Sequence, residues 1–204
     1  MLRTMILRVA PISFIVFVAA CSGSSGISTI DGNGGTVSSA EDAKRAYLGL
    51  DASIDKAITL GFDGFNAATS ANIAPQTANG TAAGTLVIAG QVDQGASANK
   101  TMNLNETLTT YTDDGQITYA TPATLPALSL KLEKIPNGTL SGSLDGSYSM
   151  SGALSGMVTL ALTFTGELQS SAADPKQVER KPGTTHITGT ATSPAGTFVV
   201  DVTR

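Results

Sequence analysis

Between residues 140 and 168 the even positions read Leu140, Gly142, Leu144, Gly146, Tyr148, Met150, Gly152, Leu154, Gly156, Val158, Leu160, Leu162, Phe164, Gly166 and Leu168, which is ten sizeable apolar residues and five glycines. The sixteen odd positions from Thr139 to Gln169 hold only Ala153, Met157 and Ala161 as apolar residues. A period of two sets one face on a core and the other in water, the pattern of half-buried antiparallel strands. The phase never slips, and this constrains the turn. Directly opposed residues of an antiparallel pair share a face, so even positions join even positions only through a loop of odd length. The three-residue connection Ala153-Leu154-Ser155, between Gly152 and Gly156, meets that condition. A two-residue turn at Asp145-Gly146 would oppose Leu144 to Ser147 and is rejected. One long hairpin, with arms over 139–151 and 157–169, is the result.

The same reading predicts further strands at 84–92, 100–111, 116–121, 125–135, 184–192 and 197–203. Turns punctuate them at Asp113-Asp114-Gly115, Pro136-Asn137-Gly138 and Ser193-Pro194-Ala195-Gly196. Residues 170–183, polar and carrying Pro175 and Pro182, read as a longer loop. About eight strands joined by short turns predict a mainly β antiparallel meander. One helix cannot cover the apolar face of eight flat strands, so the sheet must curl into a barrel or a half-barrel gripping that helix.

The helix lies upstream. Ser38 and Ser39 are followed three residues on by Glu41 and Asp42, a capping arrangement with acids in the first turn. Ala43, Tyr47, Leu50, Ile54, Ala57 and Ile58 recur at spacings of three and four, giving one N-terminal amphipathic helix. Gly61 is the expected end or kink, with Phe62 and Phe65 just beyond it and a weak helical turn before Pro75. The stripe covers the domain's own core or meets a partner. Before the helix, eleven of the eighteen residues 22–39 are Gly or Ser. Such a chain behaves as flexible coil with a span of about 24 Å. Within it, Asp31-Gly32-Asn33-Gly34-Gly35 lacks the alternating third acid and the distal glutamate that a calcium loop needs, and reads as linker.

Arg3 and Arg8 precede an apolar run from Val9 to Ala20. Twelve helical residues rise about 18 Å, short of the roughly 30 Å hydrocarbon core, so the run reads as an export signal and not as a span. It ends Val18-Ala19-Ala20-Cys21, which resembles the lipobox of bacterial lipoproteins. That resemblance covers about twenty residues and implies a processing route, not a fold. It implies cleavage after residue 20, acylation of Cys21 and attachment to a membrane of the cell envelope. Ser22, where an aspartate would favour inner-membrane retention, tilts the expectation toward the outer membrane. The expected organisation is a signal at 1–20, a lipidated Cys21 with a tether to 39, and a single helix-plus-β domain over 40–204. Cys21 is the only cysteine, so no internal disulfide can form.

Losing Arg3 and Arg8 from the 12 basic residues leaves 10 against 16 acidic ones, a formal charge of −6. Nucleic acid is therefore a poor partner. A membrane-spanning barrel would need an outward apolar band and aromatic girdles, whereas the outer face here is rich in Ser and Thr. His186 is the only histidine and falls on the outer face beside Thr184 and Thr188, so no His-rich metal site and no cofactor is expected. No nucleophile-elbow or phosphate-cradling motif is present, and no enzyme is expected. Glu106 is the exception to the pattern, since its phase sets it with Met102, Leu104 and Leu108 on the apolar face. Buried there, it either carries a raised pKa and marks a site or plays a structural part. Gly142, Gly146 and Gly166 leave room on the same face. With Glu106 they line a cavity for a hydrophobic molecule, or else the space is filled by rings such as Phe62, Phe65 or Phe164. Two functions follow: a non-catalytic envelope domain that binds an envelope protein or acts structurally, or a carrier of a lipid or other hydrophobic small molecule.

Overall fold

A computed structural model describes residues 34–94, 98–172, 174 and 177–204. The expected export signal at 1–20, Cys21 and most of the expected tether lie outside the described residues. The end of the expected tether does not behave as coil. Gly35 bridges Leu154, the Ser193 hydroxyl donates to the Val37 carbonyl at 2.6 Å, and Val37 is 0% exposed. The packed domain therefore begins by residue 34, earlier than composition suggested, because one apolar residue among small ones suffices to dock the strap.

The helical stretch is in two pieces, α1 (Ala40–Leu48) and α2 (Asp51–Ala67). Ser39 caps α1 by accepting from the Asp42 amide at 3.1 Å, and Ser38 donates back to the Asp42 carboxylate. The break falls at Gly49-Leu50. There Tyr119 donates its hydroxyl to the Ala46 carbonyl at 2.9 Å and lies so close to Gly49 that a Cβ would sit 2.3 Å from its oxygen. Gly61 does not end the helix. A Cβ at Gly61 would meet Met102 and one at Gly64 would meet Ile73, so these glycines let α2 lie close to the sheet and it runs on to Ala67.

Ten strands form one antiparallel sheet: β1 (Asn72–Asn79), β2 (Ala83–Gln94), β3 (Lys100–Thr112), β4 (Ile117–Ala120), β5 (Ala127–Glu133), β6 (Thr139–Gly152), β7 (Gly156–Ser170), β8 (Val178–Arg180), β9 (His186–Ser193) and β10 (Gly196–Thr203). The expected meander is present, with two strands added. β1 carries Pro75 within a register shift between Ile73 and Gln76, where an edge strand tolerates a missing amide. It replaces the helical turn expected before Pro75. β8 is a three-residue strand inside the expected 170–183 loop.

Two positions in the sheet are each filled by two short strands in line. β4 and β5 both lie between β3 and β6, and β8 and β9 both pair with β7. In the central hairpin even opposes even throughout, as with Leu144 and Leu162. The last pair is Met150 with Gly156, so the loop holds residues 151–155 and not the expected 153–155. Gly152 still pairs with Ile117 on β4, but its positive φ of 103° turns the chain out of the β7 ladder.

The inner face of the sheet and the helices share one core that includes Tyr47, Ile54, Ile58, Leu86, Met102, Leu128, Leu144, Tyr148 and Phe164. No ladder joins β1 to β10 among the described residues. α2 packs on β1 and β2, and α1 packs on β10, so the helical stretch spans the two edges of a half-barrel.

Candidate functional site

The feature that stands out lies at the joint between β4 and β5. Residues 121–126 bridge the two strands, with Ala123, Thr124 and Leu125 exposed. Both ends of the bridge are tied to β3: the Thr121 amide donates to the Leu108 carbonyl at 3.2 Å, and the Glu106 amide donates to the Pro126 carbonyl at 3.0 Å. Beneath it, the Glu106 side chain is 0% exposed. Its Oε2 accepts from the Tyr148 hydroxyl at 3.0 Å, and its Oε1 has no partner. β3 and β6 do not neighbour each other here, so the two long side chains meet across the position that the bridge leaves open on the inner side.

Burial pushes the Glu106 carboxyl up to about 7, with the Tyr148 hydrogen bond acting the other way. The Tyr148 hydroxyl is driven far above its ordinary value by burial and by the neighbouring Glu106. Near neutrality the pair is thus a protonated, or half-protonated, acid against a neutral phenol. Sealed from solvent, it can hold and release a proton but cannot reach a substrate.

Glu106 and Gly146 come together in this layer, because Pro126 fills the space that Gly146 lacks. A Cβ on Gly146 would fall 2.5 Å from the Pro126 ring. Gly142 and Gly166 lie elsewhere. A Cβ on Gly142 would strike the Ser129 carbonyl oxygen at 2.1 Å, and one on Gly166 would meet Thr185 at 2.8 Å. The three glycines therefore do not line a hollow with Glu106. Nor do aromatic rings fill the space; the neighbouring backbone, a proline and a threonine do. His186 lies on the outer face as expected, with Nε2 2.8 Å from Asp201 Oδ1. Cys21 lies outside the described residues.

Two ionic groups escaped the sequence reading. Arg180 on β8 is 8% exposed and forks onto Asp55 (2.7 Å to each oxygen) and Asp51 (2.9 Å), while Arg204 and Tyr47 also bond Asp51. Burial works against the Asp51 charge, yet the Arg180 bonds and charge hold its pKa below the usual carboxylate range. The spacing of Asp51 and Asp55, one helical turn, was the available signal. The second group is Lys56, which donates to Asp113 at 2.5 Å and to the Tyr111 hydroxyl at 3.2 Å, fastening α2 to the turn after β3.

Two surface clefts open near Arg180. One, of about 540 Å³, is lined by Lys134, Asn137, Glu167, Gln169 and Lys181 among others. The other, of about 450 Å³, is lined by Asp51, Asp55, Arg180, Thr185 and Arg204 among others. Comparison with protein-family models, with curated proteins and with solved structures finds no match for this chain.

Proposed function

We propose that this protein is a lipid-anchored component of the bacterial cell envelope, held through acylated Cys21, whose domain works without catalysis by binding an envelope partner or by a structural role. The positive-then-apolar leader closing on Val18-Ala19-Ala20-Cys21 supports the anchor. The observation that carries the choice of role is the filling of the glycine notches: Ser129, Pro126 and Thr185 lie where a Cβ on Gly142, Gly146 or Gly166 would sit, so these glycines open no space for a carried molecule. That favours an outer surface over an inner cavity as the working part.

The chain's path gives the surface a direction. The strap at 34–37 docks on Leu154, Ser155 and Ser193, at the end of the sheet that carries the loops after β6 and β9. The strands run from there to the opposite end, where both clefts open. An anchor on Cys21 accordingly enters the domain at the end opposite the clefts, which leaves both clefts free to meet a partner in the periplasm or whatever faces the leaflet.

The test uses the full chain produced in a Gram-negative host fed an alkyne-bearing palmitate analogue. The wild type takes up label and Cys21→Ala does not; an unlabelled wild type, or a labelled Cys21→Ala, overturns the anchor. Native mass spectrometry of the wild type from mild detergent then gives the acylated polypeptide mass alone. A reproducible additional mass that organic solvent removes would restore the carrier.

A further inference from the structure

Three structural facts converge on the bridge over Glu106. The bridge interrupts a sheet position, so its middle residues Ala123, Thr124 and Leu125 have no strand on either side and face solvent. Its last residue, Pro126, is buried in the notch at Gly146 and is bonded by the amide of Glu106 itself. Directly below, Glu106 Oε1 is buried without a partner. A carboxyl so placed is tolerated as a neutral acid, but as an anion it carries an uncompensated charge in an apolar layer.

The groups around it do not supply the missing cation. Tyr148 faces it from β6, and Tyr111 feels its charge from β3 itself. Tyr119 on β4 packs edge-on to the Tyr148 ring, and Ile88 lies opposite on β2. Lys56 from α2 and Asp113 are engaged with the Tyr111 hydroxyl, and among the described residues no ion pair involves Glu106. The anion's nearest relief is water, and the interrupted ladder is the place where the sheet can part without breaking a continuous strand.

We propose that Glu106 is a proton-operated latch for the 121–126 bridge: neutral, it keeps Pro126 seated at Gly146, and ionised, it turns outward through the joint so that the bridge lifts. The seated acid titrates at about 7, while a solvated glutamate titrates near its ordinary 4.5. The seated state thus binds the proton more tightly, so opening becomes easier as pH rises through this window. The opening equilibrium climbs about tenfold per pH unit, about 300-fold in all, and is flat above about 7.

Hydrogen exchange of the full chain in mild detergent, corrected for intrinsic rates, reads this directly. Between pH 5 and 7, protection across residues 117–128 falls about tenfold per unit and then levels off, while α1 changes far less. Glu106→Gln abolishes the slope and keeps the low-pH protection at every pH. Tyr148→Phe, which removes the one bond favouring the anion, carries the slope on to higher pH. Wild-type protection that is flat over this window, or a slope that survives in Glu106→Gln, overturns the latch. Should Glu106→Gln fail to fold, Tyr148→Phe decides, and an unmoved plateau refutes the proposal.

Discussion

At the scale of the residue, the decisive pair is Glu106 with Tyr148. Because the folded-state carboxyl titrates at about 7 against an ordinary 4.5, the native state holds a proton that the unfolded chain has already released. Global stability therefore falls as pH rises between those values and is indifferent to this group above about 7. Denaturant titrations of wild type and Glu106→Gln should accordingly diverge across the window, the wild type losing about 3 kcal/mol relative to the variant. Equal pH profiles would show that the acid is not held protonated. Half of this site was legible in the sequence. Strand phase alone put Glu106 on the apolar face, and the same phase put Tyr148 there. Their meeting was not legible, since it depends on two short strands leaving a joint between β3 and β6, and pairing order is silent about where a shared position is interrupted. The glycines were legible as missing side chains but not as filled ones, because what approaches a glycine comes from another strand.

At the scale of the element, local chemistry and tertiary contact divide the work. The start of α1 is local: Ser39 satisfies the Asp42 amide, which no helical carbonyl can reach. Replacing it in Ser39→Ala should cost about 1 kcal/mol of stability by urea denaturation and loosen the first-turn amides in hydrogen exchange, while Ser39→Asp should retain most of both. The end of α2 is tertiary. Gly61 reads as a terminator in isolation, yet Met102 on β3 needs that surface bare, and the packing carries the helix six residues further to Ala67. The strands with clean alternation were all legible to within a few residues. The two that were missed, β1 and β8, are the ones whose pairing is paid for by neighbours and not by their own pattern: one holds a proline and a register shift, and the other has three residues.

At the scale of the whole molecule, Arg180 ties the first elements to the last. From β8 it reaches Asp51 and Asp55 on α2, and Arg204, just beyond β10, joins the same carboxylate. Removing the guanidinium would leave Asp51 buried with only the half-exposed Arg204 and the Tyr47 hydroxyl as partners, so Arg180→Met should destabilise the fold by about 3 kcal/mol, the low end for a broken buried pair, in denaturant titration. The double variant Asp51→Asn with Arg180→Met should recover part of that loss. A small effect of Arg180→Met alone would mean the network is solvated. Such a network could not be read from sequence, because 125 residues separate Asp55 from Arg180.

The seam between the sheet's edges has a consequence in time. Each strand pairs with one made shortly before it, so the sheet can accrete as synthesis proceeds. The helix cannot follow that schedule. α1 is among the first segments made, and the strand on which it rests, β10, is the last. The part of its apolar flank that rests on β10 therefore stays uncovered until that strand is made, even after Tyr119 and Phe164 have met Ala46 and Tyr47, and a chain cut short of β10 would display it as a lasting mark of incompleteness.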